Sequence, residues 1–293
     1  MVSSAERIAK DLAAMDEAIA ALAQEFHGAY ANYLNGLGQA VRHQLVLASF
    51  HVCTQGYPEQ FLSLSYNQRQ QLQQSLRTLA HHTQEELLAQ LHVPVVAEAP
   101  EVIDLFHDFE DLEQPGTAGS LASFEPLPVI SKKAEPQSLT PIHLARWQQD
   151  LERAIVQELQ AASHAANRLL QKAGVLPRKL PEPLLEVASK SEASELGGST
   201  PNLMNLIVES ASDNSAEKDR SDEARGHSMM HIVAINLRLV EIEFANANLT
   251  AARSQIRNLL SRLKTLGRDY QKKQRERAIV SAQEAWRASW TED

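Results

Sequence analysis

Two histidines four residues apart, a lone cysteine and a dense row of basic residues are the groups here whose types and spacing suggest chemistry. His227 and His231, in HSMMH, have the i, i+4 spacing of two metal ligands on one helical face. No nearby glutamate supplies a third ligand, so the pair reads as incidental. Cys53 is the only cysteine, which excludes an internal disulfide, a multi-cysteine zinc site and a CxxC redox pair. It ends the apolar run LVLASFHVC, with His51 on a different helical face, and reads as a small buried hydrophobe rather than a nucleophile. His81 and His82 are adjacent and point apart around a helix. There is no Glu-x-x-His pair of the di-iron type, no phosphate-cradling GxxxxGK[ST], no GxGxxG after a strand and no GxSxG elbow. The expectation is a protein that is not an enzyme and holds no cofactor or metal.

Charge is the stronger signal. The chain carries a net charge of −9, yet Ala251 to Arg277 holds nine Lys or Arg against Asp269 and Glu276, a local charge of +7. Arg253, Arg257, Lys264, Arg268, Lys272 and Arg275 fall on one face of a helix. Such a stripe suits the phosphates of RNA or DNA, an anionic membrane surface or an acidic protein partner. It is equally the ordinary solvated face of a bundle helix. No aromatic residue lies within it to stack a base.

The acidic counterpart is EAPEVIDLFHDFEDLEQ, residues 98–114, with seven acids and no Lys or Arg. Leu105, Phe106, Phe109 and Leu112 recur there at helix-in-groove spacing, predicting a short amphipathic recognition helix within a disordered linker. It would lie along the basic helix and screen it, or leave it when a partner arrives; the plainer alternative is a helix packed on its own bundle. In AWRASW, Trp286 and Trp290 are one turn apart and serve either as a hydrophobic anchor for a partner or as a cap on the bundle.

The elements that must position these groups are helical. Aromatic residues are 5% of the 293 and glycines number 11, with an excess of residues that lose little freedom in a helix. Ser3 and Glu6 sit at capping-box spacing. Ile8, Leu12, Met15, Ile19, Leu22 and Phe26 then mark one apolar stripe, which continues through Tyr30, Tyr33, Leu37, Val41, Leu45 and Val52. Gly36 and Gly38 predict local loosening and a bend, and Gly56, Tyr57 and Pro58 a stop. Ser65 and Gln68 open a second helix that completes an αα-hairpin, residues 1–93. Residues 94–140 read as an acidic, largely disordered linker. Thr140 and Pro141 begin a third bundle helix, 141–175, which Gly174 ends. Residues 176–227 read as a small helical subdomain with a mobile loop, TPNLMNLIVES forming two or three helical turns. A long basic helix, 228–293, follows with Ile235, Ile242, Leu249, Ile256, Leu263 and Tyr270 at seven-residue intervals, a coiled-coil-like seam that also suits homodimerisation.

The predicted fold is therefore all-α: an elongated four-helix bundle with disordered insertions. The charged N-terminus lacks a secretory signal's apolar run, and no stretch reaches the ~20 apolar residues of a membrane span, so the cytoplasm is the expected location.

The stretches YLNGLGQAVRHQLVLASFHVCTQGYPEQFLSLS, from Tyr30, together with LPEPLLEVASKSEAS and TPNLMNLIVE, resemble conserved, mostly uncharacterised helical proteins of cyanobacteria. That resemblance covers about a third of the chain and implies a regulatory binding protein, most concretely an inhibitor of RNase E. It carries over no functional residues. By charge and elimination the expected function is a regulatory adaptor or inhibitor that binds another protein, with nucleic-acid binding through the basic helix as the alternative.

Overall fold

The computed structural model describes residues 4–92, 139–177, 201–210 and 228–290. Among these the protein is predominantly all-α, with six helices and one small sheet: α1 (Ser4–His51), α2 (Pro58–Ser63), α3 (Tyr66–Ala89), α4 (Pro141–Ala173), β1 (Leu203–Ser210), β2 (Ser228–Ile235), α5 (Leu239–Phe244) and α6 (Ala247–Ser289). A π-helical turn, Val52–Gly56, follows α1. No helix of the described residues is long and apolar enough to cross a membrane.

Several helix ends follow from their cap residues. Ser65 accepts from the Gln68 backbone N–H while its own N–H donates to the Gln68 side chain at 2.9 Å, the reciprocal capping box that opens α3. Thr140 caps α4, with Pro141 at the first position where its missing N–H costs nothing. Gly174 ends α4 at φ 86°, a left-handed conformation that a Cβ would strain.

The chain folds as two compact units. The first draws its described residues from ranges 1–29, 92–150 and 255–293. Ile8, Leu12, Ile19, Leu22 and Phe26 of α1, Leu144 of α4, and Ile256, Leu259 and Leu263 of α6 are buried, as the apolar spacing requires. Phe26 is fully buried, which contributes about 1.5–3 kcal/mol, and its ring meets Trp147 edge-on at 6.5 Å. Ion pairs join Asp11 to Lys273 at 3.2 Å and Glu25 to Arg262 at 2.5 Å, so α1 and α6 run antiparallel.

The second unit spans 30–91 and 151–254. Tyr33, Leu34, Leu37, Val41 and Leu45 are wholly buried along α1. Arg42 of α1 bonds His81 at 2.9 Å and Gln84 at 3.3 Å, so α1 and α3 are neighbours. Gln90 donates to Glu158 of α4 at 3.3 Å. These neighbours are compatible with a four-helix bundle.

The glycines of α1 do not interrupt it. A Cβ at Gly36 would stand 3.1 Å from a methyl of Leu249, and one at Gly38 would stand 2.5 Å from Cγ of Gln84. Absence of a side chain lets α6 and α3 approach. At Gly28 a Cβ meets nothing within 4 Å. Gly28→Ala should therefore stabilise by about 0.5–1 kcal/mol, whereas Gly38→Ala should lose about 1 kcal/mol or more to overpacking. Urea denaturation of both checks this; equal gains would refute the close approach at Gly38.

Residues 203–210 and 228–235 correct the sequence reading, which made both helical. They form an antiparallel pair, in register from Leu203↔Ile235 to Ser210↔Ser228. Segments LMNLIVES and SMMHIVAI both contain Ile and Val, whose branched side chains favour extended backbone. Ile235 thus belongs to a strand, Ile242 to the separate short helix α5, and Asn246 caps α6 by accepting from Asn248 N–H at 3.0 Å. The seam begins only at Leu249, and Leu249, Ile256 and Leu263 are its buried members.

Side chains bond the outer edge of β2 at its C-terminal end and just beyond it. Tyr57 Oη accepts from Val233 N–H at 3.1 Å, Ser163 Oγ accepts from Leu237 N–H at 2.9 Å, and Asn167 both accepts from Ile235 N–H and donates to Ile235 C=O at 2.9 Å. The Asn167 amide thereby takes the place of a third strand's peptide and blunts the edge as a template for pairing.

Candidate functional site

The basic face of α6 exists, with one member removed. Arg257, Arg268, Lys272 and Arg275 are exposed and Lys264 is half-buried. Arg253, one turn before Arg257, is instead drawn into the second unit's interior, where its side chain is only 13% exposed. Its Nε donates to Glu243 at 2.7 Å, its Nη2 to Tyr33 Oη at 2.7 Å, and its Nη1 pairs with Glu152. The guanidinium also lies 4.5 Å from the Tyr33 ring centroid. Tyr30 donates to Glu152 and Tyr33 to Glu243, each at 2.5 Å.

Burial works against the Arg253 charge, but the hydrogen bond to Glu152, the fields of Tyr33 and Glu152 and the bond to Glu243 outweigh it and hold the guanidinium above its ordinary value. Burial pushes the Tyr33 hydroxyl well up, so it remains a donor. The cluster is a network of five side chains in which one guanidinium is shared by two carboxylates, and Arg253 is not available to a partner on the basic face.

Arg262 and Lys273, also basic, are engaged within the first unit by Glu25 and by Asp11 and Glu276. The bond from Arg262 lowers the Glu25 carboxyl below its usual range. What the basic face presents is thus a selected subset of the nine cations.

Beyond Val280 the helix is exposed on every side. Ser281 to Trp290 are all exposed, and Trp286 and Trp290 are each 66% exposed with ring centroids 5.7 Å apart. Two large apolar side chains thus stand next to each other on one exposed helix surface.

Sequence spacing misses a second exposed pair. Val240 and Phe244, one turn apart on α5, are 76% and 91% exposed. A pattern read as one continuous helix conceals them; only the break at Asn246 separates their face from that of α6. Leu105, Phe106, Phe109 and Leu112 lie outside the described residues, as does His227. His231 lies in β2, where i, i+4 helical spacing has no meaning. Among the described residues no cluster of three or more His, Cys, Asp or Glu is placed to hold a metal. Burial raises the Cys53 thiol to about 11, which keeps it protonated near neutral pH.

The arrangement defines an all-α protein with an exposed basic helix ending in a tryptophan pair. Compared with protein-family models, curated proteins and solved structures, the chain matches none.

Proposed function

We propose that this chain is a non-enzymatic regulatory adaptor or inhibitor that docks on another protein through α6. Trp286 and Trp290 act as apolar anchors, and Arg257, Lys264, Arg268, Lys272 and Arg275 steer an acidic surface into register. The observation that carries this reading is the adjacent, two-thirds exposed tryptophan pair. Tryptophan and arginine dominate binding hot spots, because one supplies large apolar area and the other charge-assisted bonds. The resemblance to cyanobacterial helical proteins suggests an RNA-turnover nuclease as the partner and the cytoplasm as the setting. The acidic segment 98–114 is a competitor for the same basic face, by charge.

Nucleic-acid binding is the second reading, favoured by the exposed cations alone. Tagged protein should be captured from its native cell at low and high salt, with and without nuclease treatment. A stoichiometric, nuclease-resistant protein is expected, and Trp286→Ala with Trp290→Ala should weaken its binding at least thirtyfold, about 2 kcal/mol or more. Material lost on nuclease treatment, with affinity falling steeply in salt, would move the function to nucleic acid.

A further inference from the structure

The second unit contains a cavity that neither the basic helix nor the tryptophan pair uses. It has a volume of about 280 Å³ and lies among the end of α1, the π-helical turn, α2 and α3. Val46, Phe50, Phe61, Leu72 and Leu76 wall it, and Cys53 of the π turn contributes its side chain. Val46 and Phe50 are 47% and 57% exposed, so the apolar lining reaches the surface. A π turn widens the helix locally and is often found beside functional sites.

The wall's polar side chains are Ser49, Cys53, Thr54, Gln73 and Arg77, and Gln73 adds a neutral amide. Ser49 donates its hydroxyl to Leu45 C=O and Thr54 to Phe50 C=O, both at 2.7 Å, so neither offers a hydrogen to an occupant. The Cys53 thiol is neutral near pH 7, since burial raises it to about 11, and adds no negative charge. Arg77 stands at the rim, exposed, with no ion-pair partner among the described residues. A second guanidinium, Arg69, lies 5.6 Å from the Phe61 ring centroid. Among the described residues no Asp or Glu lines the cavity.

We propose that this cavity binds a small anionic amphiphile, a medium-chain monocarboxylate whose chain lies between Phe50, Phe61 and Leu72 and whose carboxylate pairs with Arg77. Apolar walls reward a hydrocarbon body, and the Arg77 cation at the rim selects the sign of the head. Size agrees: an apolar cavity of roughly 150 Å³ accepts benzene, so this one takes on the order of ten carbons. A cationic amphiphile of equal length would bury the same surface but place like charge beside Arg77.

The test uses the full chain with decanoate and decylammonium as probes in calorimetric titration, and the rate of Cys53 alkylation as a report on occupancy. Decanoate should bind saturably, about tenfold tighter than decylammonium, and slow alkylation of Cys53. Arg77→Glu, at an exposed position, should reverse the preference, and Val46→Trp should block both probes. Absence of saturable binding would overturn the proposal. So would a preference unchanged by Arg77→Glu, or decanoate binding that leaves Cys53 unprotected.

Discussion

Arg253→Met should destabilise the protein by about 3–5 kcal/mol, although the residue reads in sequence as one more surface cation. Its guanidinium bonds Glu243 and Tyr33 and pairs with Glu152, with 13% of its side chain exposed. Removing it leaves two largely buried carboxylates facing each other without compensation, and that uncompensated charge is the source of the loss. Arg253→Lys should recover little, because one ammonium cannot reach both carboxylates and the Tyr33 oxygen in the fork geometry of a guanidinium. Adding Glu152→Gln and Glu243→Gln to Arg253→Met should restore part of the stability by deleting the stranded charges. Urea unfolding of the series measures each step. A loss under 1 kcal/mol for Arg253→Met would mean that the cluster is solvated and behaves as a surface pair.

Asn167→Ala should cost about 2–5 kcal/mol, a large effect for a residue with no charge. Asn167 is 3% exposed and satisfies both the N–H and the C=O of Ile235. Alanine orphans two buried backbone groups at once, where most polar-to-alanine changes orphan one or none. Asn167→Leu tests the same point with the volume nearly kept; it should be as damaging as alanine, since no hydrocarbon answers a peptide. Guanidinium unfolding gives the energies, and amide exchange at Ile235 should accelerate in both variants. Near-wild-type stability for either would show that the strand edge has another source of hydrogen bonds.

Both predictions arise from contacts between residues far apart in sequence, and they show where local pattern stops being informative. Along α1, α3 and α4, apolar positions at steps of three and four identify the buried face, and Ser65, Thr140 and Gly174 mark ends, because helical hydrogen bonds and caps join residues within about four positions of each other. Those features are written locally, and the all-α class with them. The outward basic residues Arg257, Arg268, Lys272 and Arg275 and the paired Trp286 and Trp290 are legible for the same reason: a helix converts spacing directly into a face.

Strand pairing is different. Leu203 meets Ile235 in the folded chain, and nothing within either octapeptide states that the other exists, so a helical period fits each of them alone. Arg253 and Arg257 are both arginines one turn apart on the same helix; Glu152, Glu243 and Tyr33, brought from three other elements, decide that one is a core group and the other a surface group. Gly36 and Gly38 likewise look like weak points until Leu249 and Gln84 are found where their side chains would be. By itself the sequence determined which segments are helical along most of the chain, where several begin and end, and which helix carries the exposed charge. The tertiary structure decided which polar groups are buried together, which strand edge is bonded by side chains and which cavity is left open, because those depend on desolvation and on partners that only folding brings within reach.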